Sequence, residues 1–172
     1  MQIRRASLYY PTMTPEKDEE LCRKYPKIFR DRYASPQSTC MCWGFDCGDG
    51  WYDLIDTLCS HIQNHVDNQI KQQEYKFKRG EIDPEDYQSE DCFQVVAAQV
   101  KEKFGGLRFY VGGADDEVRG MIEMAEGMSY KICEDCGNRG SIRKTDWHRT
   151  MCDPCNETWQ ARRTESWKKE TG

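Results

Sequence analysis

The chain has 172 residues, a formal charge of -5, a mean hydropathy of -0.93 and 32% charged residues, which suits one domain, or one domain with a small module, and a modest core. No apolar run approaches the roughly 18 residues of a membrane span, and the opening MQIRRASLYYPTMTPEK lacks the apolar stretch of a secretory signal. Ten cysteines without such a signal point to a reducing compartment, where thiols serve metals, cores or chemistry more often than disulfides. Residues 128–172 carry 9 Lys and Arg against 7 Asp and Glu, and residues 1–127 carry 16 against 23, so only the C-terminal part would attract phosphate.

Residues 1–20 read as a loosely ordered segment with Pro11, Pro15 and the charged run EKDEE. ELCRKYPKIFRDRY offers Leu21, Tyr25, Ile28 and Phe29, but Pro26 divides it into a turn and a short helix. The polar ASPQST leads into CMCWGFDCGDGW. From Asp49, the residues Trp51, Leu54, Ile55, Leu58, Ile62, Val66 and Ile70 recur at three and four, which predicts a long helix to about Tyr75. Asp49 is its expected N-cap. KFKRGEIDPEDYQSED is a charged connection containing Gly80 and Pro84. A second helix is expected beyond it, with Phe93, Val96, Ala97, Val100 and Phe104 on one face. GGLRFYVGG alternates Leu107, Phe109 and Val111 with Arg108 and Tyr110, a strand signature. Its ladder needs a partner; Ile3–Tyr10, CMCWGF, a finger strand or a second copy in a symmetric dimer could each supply one. A third helix starts near Asp115 and Asp116, with Val118, Met121, Ile122 and Ala125 inward.

The strongest motif is CEDC at Cys133 and Cys136 with CDPC at Cys152 and Cys155, a C-x2-C-x15-C-x2-C spacing that fits four-cysteine zinc. Two cysteines three apart in a tight knuckle aim both sulfurs at one point, and Gly137 lets the chain turn beneath them. SIRK and WHRTM, flanking Thr145-Asp146, read as a hairpin. Pro154 suits the first turn of a helix capped by Asp153, which runs on through Trp159 and Trp167. Knuckle, hairpin, knuckle and helix describe a treble-clef-like finger. Four cysteines close the shell, so this zinc is expected to be structural. A zinc nucleobase deaminase would need H-x-E before P-C-x-x-C; here His148 is followed by Arg149 and Thr150, and Pro154 lies inside the knuckle. His148 and Asn156 are placed as in an HNH nuclease, but the 15-residue interval is short for that finger and no second His follows. His61 and His65 are one turn apart on the long helix, without the Glu of H-E-x-x-H, and read as solvated boundary residues.

CMCWGFDCGDGW is open to three readings. Cys40, Cys42 and Cys47 could form a second metal site with Cys22, Cys59 or His61 as fourth ligand. One of them could be a nucleophile with His61 or His65 as base. Otherwise the stretch is an aromatic turn against the long helix, with Gly44, Gly48 and Gly50 permitting tight bends and Trp43, Phe45 and Trp51 available as partner-binding anchors.

LCRKYPKIFRDR, TCMCWGFDCGDGWYDLIDTLC, VKEKFGGLRFY and RGMIEMAEGMS, followed by the paired CxxC knuckles, resemble a family of small proteins encoded by tailed bacteriophages and prophages, over about residues 21–155. The resemblance implies a phage gene expressed in the bacterial host cytoplasm. It brings no catalytic residues; small non-structural phage proteins of this sort often act on host or defence machinery by binding.

The expectation is therefore an α+β protein in three parts: the segment 1–20, a mainly helical domain with a short sheet at 21–130, and a zinc finger with C-terminal helix at 131–172. The expected function is non-enzymatic binding of a host or phage protein, such as inhibition of a defence system. The alternative is nucleic-acid binding through Arg139, Arg143, Lys144, Arg149, Arg162, Arg163, Lys168 and Lys169. An HNH-like nuclease or a thiol enzyme comes third.

Overall fold

Residues 12–144 and 147–170 are described by the structure, a computed structural model, with side chains beyond residue 164 excepted. Its spine is the predicted long helix, which spans Tyr52–Lys78 and buries Leu54, Ile55, Leu58, Ile62, Val66 and Ile70 along one stripe. Asp49 does not cap it. A single 3-10 turn, Asp49–Trp51, leads into the helix, and Asp49 Oδ1 instead accepts a hydrogen bond from Thr14 N at 2.7 Å. That bond holds the start of an N-terminal helix, α1 (Pro15–Lys24), where a loose segment was expected. α1 opens on a proline and buries Asp18 and Leu21. The Asp18 carboxylate receives Arg32 Nε at 2.8 Å and Arg32 Nη2 at 2.9 Å, a paired contact that satisfies its charge. The helix stops before Pro26, as the sequence requires. The long helix is α2.

The largest departure from expectation lies at residues 93–104. Only Glu90–Phe93 is helical (α3); Val96–Lys103 is a strand, β2. It is the missing partner of the predicted strand Gly106–Gly112 (β3), to which it pairs antiparallel through the Phe104–Gly105 turn. Phe45–Asp46 (β1) pairs parallel to its other side, with Phe45 opposite Val100. The sheet order is thus β1-β2-β3, and CMCWGF reaches β2 rather than β3. Ile3–Tyr10, another candidate partner, lies outside the described residues.

The sheet buries Val100, Leu107 and Phe109 beneath α2 and α4 (Asp116–Ser129). Phe29 stands edge-on to Phe45 at 5.0 Å and to Phe109 at 6.3 Å. α4 also covers the outer edge of β3: Leu107 N donates to Ser129 Oγ at 2.9 Å and Phe109 N to Glu126 Oε1 at 3.0 Å. Side chains thereby satisfy amides that an open edge would offer to another strand. Asp115 caps α4 by accepting from Val118 N at 2.9 Å. It also meets His65 Nε2 at 2.7 Å, while Glu117 lies 3.3 Å from His65 Nδ1. His65 is therefore a packed link between α2 and α4 rather than a solvated residue; His61 is exposed.

Ser141–Arg143 (β4) and Arg149–Met151 (β5) form the expected hairpin, whose Thr145-Asp146 turn lies outside the described residues. Asp153–Glu170 (α5) follows, with Asp153 inside its first turn rather than ahead of it. The fold is α+β with a four-cysteine cluster near the C-terminus. Among the described residues no helix is long and apolar enough to cross a membrane.

Candidate metal centre

The two knuckles meet. Cys133, Cys136, Cys152 and Cys155 bring their sulfurs within 4.8 Å of one another. Local bonds set the first knuckle: Gly137 N donates to Cys133 O at 2.9 Å and Cys133 N to Asn138 O at 2.7 Å, with Gly137 in the left-handed region at φ 77°. At the second, Asn156 N donates to Cys152 O at 3.0 Å as α5 begins. Bonds of about 2.3 Å at tetrahedral angles would place sulfurs about 3.8 Å apart, and Cys136 and Cys152 stand at 3.6 Å. Burial and the crowding of Cys152, Cys136 and Cys133 push the Cys155 thiol above its ordinary value. Thiols this close cannot all ionise without a cation to offset their repulsion. The donor set thus fits a thiophilic metal ion. Cys133 is buried, Cys136 exposed and the other two half-buried, so the centre sits at the surface with one flank in the protein.

That flank is CMCWGFDCGDGW. Gly50 N donates to Glu134 O at 2.8 Å, Gly48 N to Glu134 Oε1 at 3.2 Å, and Trp51 Nε1 to Ile132 O at 2.9 Å. A Cβ on Gly50 would fall within 3.0 Å of Cys133 O, Glu134 O and Gly137 N. Only glycine lets the loop come this close. The Gly48–Trp51 stretch is the socket into which the first knuckle seats, and the two cysteine-rich motifs form one construction.

Glu134, inside the knuckle, is fully buried and faces Arg149 of β5 at 3.2 Å. Arg149 also reaches Asp135 at 2.6 Å. Burial lifts the Glu134 carboxyl to about 7, although the Arg149 charge pulls it down. Glu134 N donates to Thr150 O at 2.9 Å, and Thr150 Oγ1 donates to Gly105 O at 2.6 Å, so the hairpin, the knuckle and the β2–β3 turn are tied together. Sequence reasoning missed Glu134 and, although it gave Gly50 a tight bend, missed its seat against the first knuckle; a carboxylate inside CxxC and the Gly-Asp-Gly run were the available signals, but neither points to its partner.

Other expected site residues fare differently. Cys40, Cys42 and Cys47 do not gather: among the described residues the four finger cysteines are the only cluster fit for a metal. Cys47 is fully buried and Cys40 exposed. Burial pushes the Cys47 and Cys59 thiols well above the ordinary range, and burial with Asp18 pushes Cys22 up to about 12, so these are poor nucleophiles. Phe45 and Trp51 lie in the core at 3% and 0% exposure and cannot anchor a partner; Trp43, at 45%, can. Arg149 is internal at 3% exposure. Arg143 is half-buried, donating to Met151 O and Asp153. Arg139, Lys144 and Arg162 are exposed, and Arg163 lies 5.3 Å from the Trp159 ring. Lys168, Lys169 and Trp167 have side chains outside the described residues. His148 is exposed just before β5, and Asn156 buries its Oδ1 without a hydrogen-bond partner. No known protein family, curated protein or solved structure matches the chain.

Proposed function

We propose that this is a non-enzymatic, zinc-containing binding protein, encoded by a tailed bacteriophage or prophage and working in the host cytoplasm. The observation that carries the reading is the closed donor set of Cys133, Cys136, Cys152 and Cys155. Four thiolates complete the tetrahedron zinc prefers and leave no position for water or substrate. Bound there, zinc would supply folding free energy, on the order of 10 kcal/mol in small modules, and hold the knuckle in the Gly48–Trp51 socket.

The exposed groups weigh the partner classes. Of the three rings offered as anchors for a host or phage protein, Trp43, Phe45 and Trp51, Trp43 alone is at the surface. Nucleic-acid binding retains the exposed Arg139, Lys144 and Arg162 and is the favoured class. Cobalt substitution tests the closed site. The expected spectrum is that of a tetrahedral four-thiolate ion, unchanged by azide, cyanate or phosphate. A ligand-dependent shift toward five-coordination would expose an open position and overturn the non-enzymatic reading.

A further inference from the structure

The sheet has a second face that the core does not use. Cross-strand partners project to the same side. Val100 and Phe109 point inward, so the flanking pairs Gln99 with Tyr110, Lys101 with Arg108 and Lys103 with Gly106 point outward. Tyr110 is 43% exposed, and Phe104, at the turn, 65%. Lys101 stands 5.6 Å from the Tyr110 ring centre and Lys103 5.4 Å from that of Phe104. Tyr130 lies on this face too: its ring occupies the space a Cβ on Gly106 would need, and its hydroxyl accepts from Arg108 Nη2 at 3.0 Å. The face runs on into the finger, because a Cβ on Gly105 would touch Ile142, the neighbour of Arg143 and Lys144. Two acids border it. Asp46 is in register with Lys101, and Glu126 is engaged by Arg108 at 3.5 Å. Glu102 is turned away and accepts from Gly105 N at 2.6 Å.

We propose that this face binds single-stranded nucleic acid, with bases stacked on Tyr110 and Phe104 and phosphates held by Lys101, Lys103 and Lys144, a local basic row that the net acidity of residues 1–127 conceals and that corrects the expectation of phosphate binding by the C-terminal part alone. The proposal rests on the binding-protein reading and names its ligand. Exposed rings beside cations are the elements such sites combine. In a duplex the π-faces of the bases are already stacked, so the rings could add nothing there. A protein partner fits less well, because lysine is depleted from the cores of protein interfaces, and here a lysine accompanies each exposed ring.

Fluorescence anisotropy with the reduced, zinc-loaded full chain tests this. The probes are labelled 15-nucleotide mixed-sequence DNA and RNA single strands and the matching DNA duplex. Single strands should bind more tightly than the duplex, and comparing the two strands reads the sugar preference. Tyr110→Ala and Phe104→Ala should each weaken single-strand binding by about 5- to 150-fold. Lys101→Gln should reduce the slope of log K against log salt by about 0.7. The rings are exposed, so unchanged circular dichroism and zinc content should confirm that both variants are folded. No binding of any probe in 50 mM salt would overturn the inference. Unchanged affinity in both ring variants would also overturn it; loss in Arg139→Ser and Lys144→Ser would then place the strand on the finger alone. Either failure leaves the cobalt test untouched, so the two readings fail separately.

Discussion

Gly50→Ala is the sharpest perturbation of the socket. The added methyl would lie within 3.0 Å of three backbone atoms, Cys133 O, Glu134 O and Gly137 N. Backbone atoms cannot rotate aside, and the knuckle that carries them is braced by the Gly137 N to Cys133 O bond. The loop must therefore withdraw. Overpacking alone costs about 1–3 kcal/mol. Withdrawal also strains the Gly50 and Gly48 amide bonds to Glu134, the latter to a carboxylate oxygen, each contributing roughly 1 kcal/mol or more. These terms overlap, so the expected loss is about 3 kcal/mol, or roughly a hundredfold in the folding constant. The assay is urea unfolding of the zinc-loaded, reduced protein, followed by far-ultraviolet circular dichroism. Gly127→Ala is the control. It lies in the last turn of α4 with nothing within 4 Å of the new Cβ, and should be neutral or stabilise by at most about 0.5–1 kcal/mol. A Gly50→Ala protein within about 0.5 kcal/mol of wild type would refute the socket.

Thiol accessibility offers a second check. Iodoacetamide and mass spectrometry on the native zinc protein should label the exposed Cys40 and Cys92 while sparing the buried Cys47 and Cys59; a chelator should add the four finger cysteines. Rapid labelling of Cys47 in the native state would contradict its burial. For the internal ion pair, Glu134→Gln leaves Arg149 with only the partly exposed Asp135. It should cost about 3 kcal/mol in the same urea assay run well above the Glu134 value of about 7, where the carboxyl is ionised, whereas the like-sized substitution Glu123→Gln on the surface of α4 should change stability by less than about 0.5 kcal/mol. Acid stability reports on Asp115. Burial works against its charge, but donors from Val118 N, His65 and Gln69 outweigh it and bring it down to about 2. A carboxyl whose folded value lies below its unfolded value of about 3.9 stabilises the fold above that pH and loses its contribution as pH falls toward 2. Asp115→Asn should flatten the acid limb between about pH 4 and pH 2 in a melting series; an unchanged limb would assign it to other carboxyls.

Much of the architecture follows from local pattern. The stripe from Leu54 to Ile70 predicts α2 because one helical face is buried along most of its length. The alternation at Leu107, Phe109 and Val111 predicts β3. β2 is different. Its inward residues Ala97 and Val100 are three apart because the register shifts between Ala97 and Gln99, and a bulge of one residue turns a period of two into a step of three. That step, in the helix-favouring VAAQVKEK, imitates a helix face. Pairing on both edges, with β1 and β3, overrides the propensity.

The four-cysteine cluster is legible from local pattern alone. A knuckle is a local turn, so ligand spacing within each CxxC is fixed by a few neighbouring dihedrals, and Gly137 supplies the one that only glycine adopts readily. That all four candidate donors are thiols is likewise read directly from the sequence. Tertiary structure alone decided what surrounds that centre. Whether Phe45, Trp51 and Arg149 face solvent or the interior depends on contacts distant in sequence: Phe45 with Phe29 and, across the sheet, Val100, Trp51 with Ile132, 81 residues away, and Arg149 with the buried Glu134. Such contacts leave no periodic trace along the chain. The outward row of Lys101, Arg108 and Tyr110 is likewise a product of cross-strand register, which exists only once β2 and β3 have paired.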